Sequence, residues 1–160
     1  MMTKKRIQDS GLAVEVVTGA GTGTWDWFAS FPGVTEIQPG SFLLMDAVYC
    51  NIRPEFQCAL TILATVISRR PDWYVLDAGS KAISKDFGLP IILEHETEHV
   101  SRLAEEHTIV ECSHPPAIGS RRRLASGHCC ATMNQHRQCV AVRKGIVEAI
   151  WPIESSGRYD

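Results

Sequence analysis

The chain has 160 residues, 44% hydrophobic and 21% charged, with a net charge of −2. That is one ordinary domain, or one domain plus a remnant, with enough apolar material to bury a core. The charge carries no basic stripe for nucleic acid, no apolar run approaches a membrane span, and the first residues lack an apolar signal region. A cytoplasmic chain with its six cysteines reduced is therefore expected.

In chain order, residues 7–11 read as the end of a helix with Gly11 as its stop. Residues 12–17 read as a short buried strand. A glycine-rich turn follows at 17–24, and such turns present backbone N–H groups to anions. The bare pattern is common and lacks the dinucleotide-binding spacing. Trp25, Trp27 and Phe28 suit a packed aromatic segment, and Pro32-Gly33 a turn. Residues 41–49 alternate, so a strand is expected there, with Asp46 as a hydrogen-bonded structural carboxylate or a catalytic one.

Residues 59–68 form the strongest strand pattern, apolar on both faces, with Ile62 and Leu63 expected in the core. Residues 73–76 are the next strand, across a loop of arginine, proline and Asp72. At the turn 77–81, Asp77 either orients a ligand or caps the turn. Residues 94–107 read as a solvated polar loop. A strand begins at Ile109, Pro115-Pro116 breaks it, and Arg121, Arg122 and Arg123 suit an exposed strand or loop. Residues 139–142 and 146–151, joined through 143–145, read as a hairpin before a polar tail at 155–160.

The stretch 126–136 carries the chemistry. His128 and Cys130 are two residues apart, and in an extended strand such residues share a face. Imidazole and thiolate would then converge on a borderline-soft divalent metal such as zinc. The same residues also fit a half-buried strand of small core cysteines with His128 as a satisfied polar group. Cys112 and His114 repeat the spacing, so a closed site of two cysteines and two histidines is a further option.

The run His-Cys-Cys-Ala-Thr-Met-Asn at 128–134 resembles a segment near the C-terminus of the D-serine dehydratase / D-threonine aldolase family. The stretches 17–24, 35–41 with Met45 and Asp46, and 75–84 match the same family in the same order. The resemblance implies an alanine-racemase-like architecture, a TIM-type barrel holding pyridoxal phosphate followed by a β-domain. It implies a phosphate-binding role for Gly19, Gly21 and Thr22. Ala20 stands where a glycine is usual, which suits close phosphate approach only at negative φ. It implies a metal role for His128 and Cys130, with zinc first and manganese second, and it places Asp77 near the active site. Cysteine as second ligand looks like the dehydratase branch, and aspartate there marks the aldolase branch. Gly127 stands where the family commonly has asparagine. Lys81 is not expected to be the cofactor lysine, which the family carries near the start of its barrel.

The expected fold is mainly β: an antiparallel β-barrel or sandwich over 41–160, after a short α/β remnant of a TIM-type barrel over 1–40. The expected function is the C-terminal portion of a pyridoxal-phosphate-dependent, metal-assisted lyase acting on D-3-hydroxy amino acids, inactive by itself. Its expected partners are that substrate and either further copies of itself or a barrel-bearing chain. The competing expectation is a non-catalytic β-module, or truncated remnant, that docks on such a chain.

Overall fold

The computed structural model describes residues 1–154, 156 and 157, so most of the polar tail lies outside the described residues. Helix α1 (Met2–Asp9) ends before Gly11, whose φ of +86° suits glycine at a helix stop. Strand β1 (Thr18–Gly19), helix α2 (Trp25–Ala29) and strand β2 (Glu36–Ile37) follow. β1 and β2 pair in parallel, Thr18 opposite Glu36, so the helix is a crossover between parallel strands. The aromatic segment packs in part: Trp25 meets Phe56 at 6.2 Å between centroids, but Trp27 is 81% exposed.

The strand expected at 12–17 does not form. Val17 alone reaches the β2 side, its carbonyl accepting from Thr35 and Glu36 and its N–H donating to Thr35 Oγ1, while Leu12 N–H donates back to Ile7 O. Upstream of it the backbone has no ladder, and Leu12 and Val16 are exposed rather than buried. Val14, Val16 and Val17 instead line an open apolar groove of about 540 Å³ with Ile7, Phe28 and Phe31.

The alternation at 41–49 also misleads. A 3-10 turn (Ser41–Leu43) leads into helix α3 (Ala47–Ile52), and Asp46 is its N-cap, accepting from Val48 N–H and Tyr49 N–H. A short side chain that satisfies free amides at a helix start overrides a weak period of two.

Six antiparallel strands then build the core. They are β3 (Ile62–Arg69), β4 (Trp73–Leu76), β5 (Ile91–Ile92), β6 (His99–Leu103), β7 (Thr108–Glu111) and β8 (Arg121–Ala125). Their order is β5-β8-β3-β4-β7-β6, a curled, nearly closed barrel with β3 near its middle. β3 pairs with β8 on one side and β4 on the other. Inward and outward residues alternate, as Tyr74, Leu76, Val110 and Leu124 are fully buried. β3 obeys the same rule: Ala64 and Val66 point inward, while Leu63 is 59% exposed. An apolar run on both faces therefore does not place Leu63 in the core.

The polar stretch 94–107 is not a solvated loop. Its middle is β6, and Glu98 is only 9% exposed. Tyr74 donates to Glu98 at 2.6 Å and Arg122 does so through two nitrogens at 2.7 and 2.8 Å. Of the arginine run, only Arg122 turns inward. Burial by itself raises the Glu98 carboxyl; the hydrogen bonds from Arg122 and Tyr74 outweigh it and hold Glu98 below the usual range.

Helix α4 (Cys129–Asn134) follows the barrel, then strands β9 (Gln138–Arg143) and β10 (Ile146–Pro152) form a separate antiparallel hairpin. Its two-residue turn, Lys144 and Gly145 at φ +51° and +77°, is the primed type that matches strand twist. Among the described residues no helix is long and apolar enough to cross a membrane. All six cysteines are free thiols.

Two stability measurements check this core. In urea unfolding, Leu124→Ala is expected to cost about 2–5 kcal/mol, and Leu63→Ala, on the outer face, less than about 0.5 kcal/mol. Glu98→Gln leaves Arg122 buried without its charge partner and is expected to cost about 3–5 kcal/mol at neutral pH. Because the folded protein holds Glu98 below its ordinary 4.5, the charged pair's contribution is present above that pH and lost as pH falls through the lowered value. Stability of Glu98→Gln should accordingly fall less steeply with acid than that of the parent chain.

Candidate metal and cofactor site

The premise of a His-x-Cys strand is overturned. Residues 129–134 are helical, and His128 is the N-cap, with φ −150° and ψ 113°. Two consecutive cysteines with alanine and threonine fill a first turn readily, and the Thr132 hydroxyl donates back to His128 O at 2.8 Å. Cys129 is fully buried and Cys130 is exposed, so the two side chains leave the turn in different directions. Their sulfurs still lie 3.8 Å apart. Burial first, then the charges of Cys130 and Asp46, push the Cys129 thiol up to about 12. Cys129 therefore stays protonated at neutral pH.

His128 is held from two sides by the loop 84–88. Its ring stacks on Phe87 at 4.2 Å and 24°, and its Nδ1 faces Asp86 Oδ2 at 3.4 Å. A carboxylate on one ring nitrogen orients the imidazole and leaves the other nitrogen as donor, the arrangement common around metal-bound histidine. Neither Asp86 nor Phe87 was identified from the sequence, because 42 positions separate Asp86 from His128. The one trace they left is Gly127. A Cβ there would collide with the carbonyl of Gly88, so in this chain the position takes only glycine.

The turn 77–84 fastens α4. Ser84 N–H donates to Thr132 Oγ1 at 3.0 Å, Gln135 Nε2 to Ser80 O at 3.1 Å and His136 Nε2 to Ala82 O at 2.8 Å. Asp77 itself is exposed, and its Oδ1 accepts from Thr65 N–H at 2.7 Å. That bond ties β3 to the turn. Lys81 is exposed and paired with Glu105 and Glu106.

The second option for the metal fails on position. Cys112 lies in the barrel core and His114 is exposed. Among the described residues no three His, Cys, Asp or Glu side chains gather as a metal-holding group. Cys112, His114, His128 and Cys130 therefore do not form a closed four-ligand site among the described residues.

The glycine-rich turn lies between β1 and α2. Ala20 has φ +64°, so its methyl group sits in the left-handed region that glycine adopts without strain. The condition of negative φ is not met. Gly21 has open space where a Cβ would stand, and its N–H makes only a long bond of 3.4 Å to Thr24 Oγ1. A Cβ on Gly19 would press on the Phe28 ring at 2.9 Å. Thr22 is 1% exposed, and its hydroxyl accepts from Phe42 N–H at 3.0 Å while keeping its own proton to donate. The open approach at Gly21 fits an anionic group, and Ala20 narrows the choice of backbone shape beside it.

Comparison with known proteins follows from this geometry. The family model described as "Putative serine dehydratase domain" matches residues 59–142. The 3-hydroxy-D-aspartate aldolase of Paracoccus denitrificans (strain Pd 1222) is 37% identical over 95% of this chain and 42% of its own length. The crystal structure of D-threonine aldolase from Filomicrobium marinum superposes with a TM-score of 0.91 at 32% identity, over 97% of this chain and 45% of that one. D-threo-3-hydroxyaspartate dehydratase from Delftia sp. HT23 gives 0.75 at 27% identity, over 92% and 46%. A dehydratase of that name has also been solved as a cysteine-to-alanine variant in a metal-free form, at 25% identity over 93% of this chain and 46% of that one, with a TM-score of 0.76. An uncharacterized protein of Mycobacterium tuberculosis (strain ATCC 25618 / H37Rv) is 29% identical over 62% of this chain, and there the match takes in 85% of the relative. The chain spans about two-fifths of the length of the first of these relatives. The family match, the identity to the aldolases and the superposition agree: this chain belongs to the D-serine dehydratase / D-threonine aldolase family, on the alanine-racemase-like fold, and corresponds to its C-terminal part.

Proposed function

We propose that the chain is the C-terminal portion of a pyridoxal-phosphate-dependent, metal-assisted lyase acting on D-3-hydroxy amino acids, of D-serine dehydratase or D-threonine aldolase type. In this reading residues 1–40 are the end of a cofactor-binding barrel with its phosphate turn, and residues 41–160 are the metal-bearing β-domain. The observation that carries it is His128, oriented by Asp86 and Phe87 beside an exposed Cys130. A nitrogen and a sulfur donor favour zinc, with manganese the harder alternative. Pyridoxal phosphate, when bound, supplies an electron sink at the substrate's α-carbon, and a divalent metal supplies Lewis acidity at its β-hydroxyl. His128 and Cys130 would hold the metal; Gly19, Gly21 and Thr22 would hold the phosphate. Asp86 keeps His128 in one orientation, and Phe87 shields that ring from water on one face. Asp77 acts in this reading through the turn that fastens α4 rather than by contact with substrate. The chain would work in the cytoplasm, as an assembly with itself or with a barrel-bearing chain.

A second reading is supported by two observations. The N-terminal groove and the hairpin carry unburied apolar residues, among them Val142, Ile146 and Trp151, and such patches mark interfaces. The mycobacterial relative is little longer than the region it shares. A non-catalytic module docked on a barrel-bearing partner fits both. Co-purification from cells that express both chains supports docking, and a monomer that ignores such a partner counts against it.

Elemental analysis of purified variants tests the metal pair. His128→Ala and Cys130→Ala are expected to lose zinc, while Cys112→Ser and His114→Ala keep it. Full zinc in a His128→Ala, Cys130→Ala double variant would reject the site. The cofactor half is tested by borohydride reduction in the presence of pyridoxal phosphate, followed by peptide mapping. No lysine of this chain is expected to be modified stoichiometrically; one such lysine would overturn the assignment of the cofactor lysine to a preceding barrel.

A further inference from the structure

We infer that Asp46 is the positioning residue of the metal pair: its buried carboxylate holds the peptide between His128 and Cys130 and couples it to the glycine-rich turn. The inference rests on the metal reading proposed above. Asp46 is 0% exposed. Its Oδ1 accepts from Val48 N–H at 3.1 Å and Tyr49 N–H at 2.9 Å, which is all that capping α3 requires. Its Oδ2 accepts from Cys129 N–H at 3.1 Å, across 83 positions of sequence. Cys129 is the residue between the two proposed ligands, so its backbone angles set how the imidazole and the sulfur face each other.

A second bond grips the same junction, as Ala47 N–H donates to Ser126 O at 2.8 Å. The other end of the connection is Thr22. It accepts from Phe42 N–H, and the following turn is closed by Met45 N–H on Ser41 O at 2.7 Å. Met45 then takes φ +57°, which aims Asp46 into the interior. The path from the phosphate turn to the ligand pair thus runs through Thr22, the 41–45 turn, Asp46 and Cys129. A neutral serine, threonine or asparagine caps a helix as well as aspartate does. Burying a charge is costly unless charge-assisted hydrogen bonds compensate it. Two carboxylate oxygens serving two helix starts supply that compensation.

The test uses Asp46→Asn and Asp46→Ser, both of which keep an N-cap for α3 but forgo one of the two acceptors. Cobalt(II) titration of the full chain is read by thiolate-to-cobalt absorption, and hydrogen exchange is read at the Cys129 amide. Near-UV circular dichroism confirms that each variant is folded. Cobalt affinity is expected to fall 10–100-fold, the usual loss when an outer partner of a ligand is removed. Protection of the Cys129 amide should fall with it, while that of the Tyr49 amide is retained. Unchanged affinity and unchanged Cys129 protection in Asp46→Asn would overturn the role of Asp46 alone. Absence of thiolate absorption in the parent chain, or its persistence in Cys130→Ala, would overturn the metal reading and this inference together.

Discussion

The ion pair of Glu98 and Arg122, with Tyr74 as third member, is the constraint on which the barrel depends. Glu98 directly precedes β6, Arg122 lies on β8 and Tyr74 on β4. β5 and β6 are the two ends of the strand order, so no ladder joins them. Glu98 crosses that opening through the interior and binds the far side of the sheet. The guanidinium carbon also sits 5.9 Å over the Tyr74 ring. A buried pair of this kind adds little net stability compared with well-packed apolar residues. Removing either partner is the costly change, because it leaves the other charge buried and unpaired.

Closure in turn fixes where the loops emerge. β8 ends at Ala125 and delivers the residues leading to His128; β4 ends at Leu76 and delivers the turn that fastens α4. A Cβ on Gly79 would collide with the 104–107 backbone, so that turn lies flush on the β6–β7 connection. These loops leave rigid strand ends and are hydrogen-bonded to one another and to the α4 segment, which is how loops come to be held in place. The surfaces away from the barrel behave differently. Val140, Val142, Ile146, Val147, Ile150 and Trp151 on the hairpin are all more than half exposed. A two-stranded ribbon gains stability from packing an apolar face on something, and here both faces carry unburied apolar residues.

How much was legible in the sequence follows from how local each signal is. The hairpin, with Lys144 and Gly145 at its turn, and β4 at 73–76 were readable because strand period and turn chemistry sit within a few residues. The strand at 59–68 was readable as an element but not as a face. Alternation that is apolar throughout says nothing about which side meets the core, and the pairing with β8 decides that. The short apolar run at 12–17 and the alternation at 41–49 were misread, because a strand pattern over so few residues is easily outvoted by a missing partner strand or a helix cap. Glu98 was hidden for a different reason: its partners Tyr74 and Arg122 are both 24 residues away, and a carboxylate among histidines looks solvated until they are in place.

The same contrast runs through His128 and Cys130. The motif was legible as a family pattern, while the geometry first attached to it was not. In a strand, positions i and i+2 share a face; in an α-helix they diverge by roughly 200°. Neither rule applies as it stands to His128 and Cys130, because His128 is an extended cap and Cys130 a helical residue. Whether their donors meet at one ion depends on the peptide unit between them, and that unit is where Asp46 bonds. A two-residue spacing does not by itself bring two side chains to one point here. What the structure fixes is a helix start whose first amide is anchored from a distant part of the chain.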